Sequence, residues 1–394
     1  MSQMLKSSGA MGVATLASRV LGMVREMAYA RFMGDGWVAG AFTLAFTIPN
    51  LFRRLLGEGA LTAAFIPIFK EKEKTASEAE VWRAANAVMS ALLVFAAVVI
   101  ALVLAGLSIA LAVGDFDAKT RLMLELLRVM FPYMGLVCLA AVFMGVLNAR
   151  GHFFIPALGA ALLNVVMIAS VFLVAPQFGQ RLDEQIFALA FGVLVAGVAQ
   201  AAFQLPSLRR EGWRLAWVTP WSNDTVRAVV TKMGPAIIGV AAFQLNVTLV
   251  QLVSFWVDPV IVASFSYAVR LMELPQGVFG ISLATYLLTS LSGLAAEKKF
   301  PEFRATLGQG LAYLIVINSL AAVLLLFLAE PIVRLLFERG AFGPESTQRA
   351  ALALQCLAPG LIAFSMVNIL ARAFYALGDT HTPMRVSEIG RAHV

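Results

Sequence analysis

Charge is scarce in this 394-residue chain. Asp, Glu, Lys and Arg make up 13% of it, apolar residues 60%, and mean hydropathy is +0.84. Soluble domains hold about a quarter charged and about half apolar residues. A water-soluble fold would have no interior large enough for this apolar surplus, so lipid is the fitting solvent. Cysteine is nearly absent. Cys138 and Cys356 both fall in apolar runs, which reads as packing and excludes a disulfide scaffold. His152, His381 and His393 are scattered without metal-ligand spacing, so no metal site is expected. The chain lacks a phosphate-binding Gly-rich loop ending in Lys and any nucleophile motif. It is therefore read as neither an ATPase nor any other enzyme.

What is abundant is long apolar runs. A spanning helix needs about 20 apolar residues. About ten runs qualify, near 9–33, 38–69, 83–113, 122–149, 154–176, 185–206, 229–257, 259–294, 305–328 and 349–376. The stretch 329–342 (AEPIVRLLFERGAF) is short and amphipathic and is expected at the membrane surface. Residues 1–8 with the run behind them lack a small-residue cleavage site, and Arg19 and Arg25 interrupt the run. This is read as a first, uncleaved helix.

The formal charge of +7 does not require nucleic acid. With the N-terminus inside, cytoplasmic loops hold Lys70, Lys72, Lys74, Arg83, Arg150, Arg209, Arg210, Arg214, Arg227, Lys298 and Lys299, and outer loops hold fewer basic residues. That bias places the N-terminus in the cytoplasm. Loop 70–83 reads as a solvated face. Segment 207–227 reads as a linker, with Trp213, Trp217 and Trp221 at headgroup level.

An internal repeat organises the chain. Between 131–156 and 358–383, Pro132 meets Pro359, Gly151 meets Gly378 and Pro156 meets Pro383, all 227 positions apart. A looser pair, 39–46 and 262–269, aligns Phe42 with Phe265 and Ala45 with Ala268, 223 positions apart. The fold expected is all-α and membrane-integral. Two pseudo-symmetric six-helix lobes surround a central cavity, residues 1–224 forming the first and 225–387 an incomplete second. On that spacing the second lobe would end near position 451 (224 plus 227), beyond the last residue, Val394. The last residues, Glu388 to Val394 (EIGRAHV), abandon the apolar pattern and match an in-frame translation of a common sequencing adapter. They are expected to be an assembly artefact.

The few charges inside spans are concentrated. SRVLGMVRE holds Arg19, Arg25 and Glu26, PNLFRRLLGEGA holds Arg53, Arg54 and Glu58, and YAVRLMELPQG holds Arg270 and Glu273. At ~1.5 Å rise per residue, Arg19, Arg53 and Arg270 lie near the middle of a ~30 Å hydrocarbon core. Burying a charge there costs ~2.5 kcal/mol or more, and such residues usually face a cavity. Arg54 with Glu58 and Arg270 with Glu273 share helix faces, and Glu26 can neutralise Arg25. Five arginines against three glutamates leave a surplus of two positive charges. A guanidinium fork suits phosphate oxygens, so a diphosphate would offset that surplus. The bland alternative is that these arginines snorkel or form structural pairs. Arg19 and Arg25 face one ligand only if helix one bends, which Gly22 would permit. Pro49 and Pro275 are further hinge candidates, with a static packing bend as the even alternative.

At these residues the sequence resembles the MurJ/MviN family of lipid II flippases. The resemblance rests on SRVLGMVRE, FTIPNLFRRLLGEGALTAAFIP, FPYMGLVCLAAVFMGVLNARGHFFIPA, KMGPAIIGV and RLMELPQGVFGISLAT, and spans residues 5–387. It implies a fourteen-helix transporter of the multidrug/oligosaccharidyl-lipid/polysaccharide exporter superfamily in the bacterial inner membrane. Such a protein flips lipid II, an undecaprenyl-diphosphate-linked peptidoglycan precursor, outward by alternating access. By motif, Arg19, Arg25, Arg53 and Arg270 match the arginines the family needs, and Glu58 and Glu273 match its cavity acids. Two positions depart. The family's usual acid near the start of helix two is Gly40 here, and the residue before Arg270, often Asp, is Val269. No cofactor is implied. Membrane potential or a coupling cation would drive transport, with membrane lipids and cell-wall synthesis proteins as partners. Helices eleven to fourteen, and the groove they build for the lipid tail, would lie beyond residue 394.

Alternative readings are a related polysaccharide-lipid flippase or a cation-coupled multidrug exporter of the same superfamily, and the exporter would favour acidic over basic midplane residues. A non-transporting scaffold would not need buried arginines. A membrane-embedded transferase should show a polar catalytic cluster near one face, and none is visible. A complete genomic copy of the gene is expected to read on in frame past residue 387 without EIGRAHV, and a stop codon after Val394 in such a copy would refute the artefact.

Overall fold

The computed structural model describes residues 2–55, 61–221, 223–277 and 281–377, with 379, 382 and 386. The described residues form helices and no strand. Their contacts divide into two compact units, Met1–Ala263 and Ser264–Val394.

The first unit begins with α1 (Ser2–Met33), α2 (Trp37–Phe52), α3 (Leu61–Thr75), α4 (Glu78–Val113) and α5 (Ala118–Met130). It continues through α6 (Tyr133–Ala149), α7 (Phe154–Ala169), a π turn (Ser170–Val174), a 3-10 turn (Ala175–Gln177), α8 (Leu182–Arg210) and α9 (Asp224–Val257). α10 (Pro259–Pro275) starts in the first unit and ends in the second. The second unit holds α11 (Ile281–Ala296), α12 (Phe300–Phe327), α13 (Ala329–Phe337), α14 (Pro344–Leu357) and α15 (Gly360–Ala376). The lobe boundary expected at 224/225 coincides with the start of α9, which packs on α2, α3 and α4.

Among the described residues four continuous stretches are long and apolar enough to cross a membrane: Glu78–Val113, Phe154–Gln177, Leu182–Arg210 and Phe300–Phe327. Two bent pairs, α5 with α6 and α14 with α15, are each as long and apolar when taken together, with bends of 42° and 46°, as in a broken span or a re-entrant loop. The runs 38–69 and 259–294 were expected to be single helices. The structure breaks the first with a π turn at Arg53–Leu55 and the second with one at Gln276–Gly277. Hydropathy registers side chains, and a change in backbone hydrogen-bond register leaves no trace in it.

The breaks recur at the spacing of the sequence repeat. α5 and α6 part at Pro132, and α14 and α15 part at Pro359. A proline removes one backbone hydrogen bond and bends a helix there. The ends of α6 and α15 match too. His152 N–H donates to Leu147 O (2.8 Å) and Asp379 N–H to Phe374 O (3.0 Å), again 227 apart. Gly151 makes the first closure possible at φ +86°, a left-handed conformation glycine adopts freely.

Several helices end together in the first unit around Arg150, at the C-terminus of α6. Its guanidinium reaches Glu73 of α3 (2.6 Å), Glu78 of α4 (3.2 Å) and Glu211 after α8 (3.9 Å), and lies 4.9 Å from the Trp82 ring centre. The loop read as a fully solvated face is thus partly committed to this cluster. α4 starts with a reciprocal cap: the Ser77 N–H and hydroxyl both donate to Glu80 (3.0 and 2.8 Å).

Two further expectations are corrected. Trp213 is 3% exposed: its indole donates to Asn86 Oδ1 (2.9 Å) and packs on Phe143. Trp217 and Trp221 remain exposed. An indole with a buried acceptor can leave the interface without stranding its N–H. The amphipathic segment is α13: Val333 and Phe337 are buried, with Phe337 and Phe342 against Tyr267, while Leu335 is exposed. Cys138 is buried and Cys356 exposed, so only the first fits the packing reading.

Gly40 sits where α2 meets the start of α10. A Cβ there would lie 2.2 Å from Pro259 O. No side chain fits there without a shift of the backbone. Gly40→Ala is expected to lower thermal stability in detergent by about 1–3 kcal/mol, since backbone must shift. Gly106→Ala, with nothing within 4 Å, should be neutral or slightly stabilising.

Candidate functional site

α1 runs as unbroken helix through Gly22 and presents three of the singled-out residues on successive turns. Arg25 and Glu26 are buried, at 7% and 5% exposure, and form an ion pair with each other. The Arg25 guanidinium stacks over Tyr29 at 5.4 Å. From Tyr29 a chain of ring contacts runs on to α2 and α6. Tyr29 meets Phe42 edge-on (5.8 Å), Phe42 stacks on Phe46 (6.2 Å), and Phe46 meets Tyr133 (6.0 Å). The expected neutralisation of Arg25 by Glu26 is therefore present. It leaves Arg25 facing protein in this conformation.

Arg19 is half-buried and, among the described residues, has no ion-pair partner. Six residues from Arg25, it points elsewhere around α1. Gly22 does not break the helix. A Cβ at Gly22 would lie 3.7 Å from Asn164 Nδ2 on α7, so the glycine marks a packing contact.

Arg53 and Arg54 lie in the π turn that ends α2. Such turns displace the backbone by one residue and are frequent at functional sites. Arg53 Nε donates to Asn50 Oδ1 (2.7 Å), and Arg54 Nη1 donates to Gln244 Oε1 on α9 (3.2 Å). Arg53 is half-buried and Arg54 exposed. Glu58, expected to pair with Arg54, lies outside the described residues. Pro49 is buried inside α2, four residues before the π turn. Pro275 closes α10 immediately before the second π turn. Both hinge candidates therefore sit next to a change of helical register, although they are not aligned copies. In the second unit Arg270 Nη1 and Glu273 Oε2 form the expected i,i+3 pair at 2.8 Å, with both side chains about two-fifths exposed.

Asn50, Tyr133, Asn164 and Gln244 were not singled out from sequence. The signal existed for Asn50, one helical turn before Arg53 in PNLFRR. The others come from helices far away in the chain and carry no local mark. Among the described residues no His, Cys, Asp and Glu group is arranged to hold a metal ion.

Proline-broken and π-broken apolar helices, with guanidinium groups held inside them, define a multi-pass membrane transporter. The fold agrees. The chain superposes on an inward-closed lipid II flippase MurJ with TM-score 0.81, at 24% identity, covering 95% of this chain and 77% of that one. An inward-facing multidrug resistance MATE family transporter of the MOP superfamily gives TM-score 0.70 at 14% identity, covering 93% and 82%. The family model for lipid II flippase MurJ matches residues 29–392. The lipid II flippase MurJ of Burkholderia cenocepacia is 35% identical over 384 residues, 95% of this chain and 73% of the relative. The probable lipid II flippase MurJ of Bdellovibrio bacteriovorus is 36% identical over 405 residues, covering 99% and 75%. The chain belongs to the MurJ family.

Removing one partner of a buried pair leaves the other charge uncompensated, at a cost of about 3–5 kcal/mol. Glu26→Gln is expected to lower the unfolding temperature clearly. Adding Arg25→Gln should restore part of the loss, and an unchanged melting profile for Glu26→Gln would show that the pair is not structural.

Proposed function

We propose that this protein flips lipid II from the cytoplasmic to the outer leaflet of the bacterial inner membrane by alternating access, with its N-terminus in the cytoplasm. It acts as a transporter and not as an enzyme. The observation that carries the reading is Arg19. It is a half-buried guanidinium within an apolar unit, without an ion-pair partner among the described residues.

A diphosphate offers such a group what water would otherwise supply. Two parallel charge-assisted hydrogen bonds match the guanidinium fork, and the charges offset each other. In this reading Arg19 and Arg53 contact the diphosphate first. Arg54 joins them by releasing Gln244. Arg25 is held ready by Glu26, and exchange of that partner would couple substrate entry to a change in helix packing. Arg270 enters by its motif, with Glu273 as its resting partner. Glu58 is assigned as an acid of the same site by motif alone. Bends repeated at Pro132 and Pro359 support a mechanism in which helix segments rock about fixed breaks. Bilayer lipids surround the protein, and cell-wall synthesis proteins are its partners downstream.

Neutralising Arg19 or Arg53 to Gln in a copy extending over the full length of the relatives is expected to reduce lipid II flipping at least tenfold. The Lys variants should retain part of the activity, since a point charge replaces the fork. Undiminished flipping by both Gln variants overturns the site assignment.

A further inference from the structure

The helix that carries Arg19 and Arg25 is held mainly by one neighbour. α1 packs on α7 and on the π turn that follows α7. Between lipid-embedded helices there is little hydrophobic drive, so close packing and interhelical hydrogen bonds fix their relation. Asn164 of α7 supplies such a bond. It is 6% exposed, and its Nδ2 donates to the Ser18 carbonyl of α1 at 3.1 Å. Its amide nitrogen also lies 3.7 Å from where a Cβ on Gly22 would stand. The Asn164 amide therefore covers the turn from Ser18 to Gly22, which contains Arg19.

α7 is anchored from its other side. Gln200 of α8 donates to the Gly159 carbonyl of α7 (3.3 Å), and Tyr133 of α6 reaches Gln200 (3.4 Å). A polar relay thus runs from α6 through α8 and α7 to the backbone of α1 beside Arg19. Asn164 is the link that reaches α1.

We infer that Asn164 is a positioning residue for transport: its bond to Ser18 O sets the rotation and height of α1, and so the place of Arg19. A register change of one residue turns Arg19 by about 100° and moves it about 1.5 Å. Misplacement of about 1 Å can cost up to a hundredfold in an oriented interaction. The inference rests on the assignment of Arg19 to substrate.

The test uses a full-length copy reconstituted in phosphatidylethanolamine–phosphatidylglycerol vesicles, with undecaprenyl diphosphate as the binding probe and flipping of lipid II measured in parallel. Asn164→Leu keeps the volume and removes the donor. Asn164→Ser keeps a hydroxyl too short to reach Ser18 O, and serves if the Leu variant does not fold. The expected result is a half-saturating probe concentration raised about tenfold or more. Thermal stability and the flipping rate at saturating lipid II should stay near those of the parent, a split that a purely structural role would not produce. Gly22→Ala should leave both unchanged. A parental half-saturation in the folded Asn164 variants overturns the inference, as does a loss that only follows unfolding. Arg19→Gln is run alongside. If it too binds the probe normally, the substrate assignment itself fails. If it alone loses binding, only the role of Asn164 falls.

Discussion

The controlling constraint is the cost of a charge where water is scarce. Moving an ion into the protein interior costs several kcal/mol even after relaxation, and attraction to a partner offsets this only with good geometry. Arg25 and Glu26 meet that condition as buried sequence neighbours on one helix. The Tyr29 face adds a cation–π contact to Arg25. Tyr29 in turn meets Phe42 of α2, Phe42 stacks on Phe46, and Phe46 meets Tyr133 of α6, so a chain of rings that starts beside the pair joins three helices. Glycine at position 40 then lets the start of α2 touch Pro259 directly.

The second constraint concerns backbone. Irregular backbone at membrane depth is tolerated only where it is buried in protein or lines a wet cavity. The π turns at Arg53–Leu55 and Gln276–Gly277 are repeated features at a spacing of 223, the offset of the looser sequence repeat. Their chemistry is not repeated. The first turn bears two arginines, and its counterpart bears Gln276 and Gly277. Conversely, Arg270 has Thr47 as its counterpart, whose hydroxyl merely donates back to the Thr43 carbonyl. Duplication supplied two equivalent frames, and the cations were placed differently in each.

What could be read from sequence follows from which physical quantity each feature expresses. Apolar runs express transfer free energy, so helices and membrane class were legible. Pro132 with Pro359 and Gly151 with Gly378 express backbone geometry, so the repeat was legible too. The pair Arg270–Glu273 follows from helix periodicity, and Arg25–Glu26 from adjacency in the chain. The first π turn was not legible, because LFRRLL contains neither proline nor glycine at the break; the second follows Pro275 and contains Gly277, but those residues mark a break without marking its type. Trp213 was misread because its partner, Asn86, lies 127 residues away. The setting of Arg19 by Asn164 is a contact across 146 residues, and no local pattern announces it.

The likeness to multidrug transporters at 14–16% identity establishes a shared fold and leaves the sign of the cargo open. The charges bear on that question. A cationic substrate needs carboxylates able to receive it. Here Glu26 is engaged by Arg25 and Glu273 by Arg270, so a cation would have to displace a guanidinium from each. A displaced Arg25 would then be a buried charge without a partner, the costliest arrangement available. An anion at Arg19 displaces no ion-pair partner among the described residues. That difference in cost is the reason the proposed assignment puts the diphosphate at Arg19 and not a cation at Glu26.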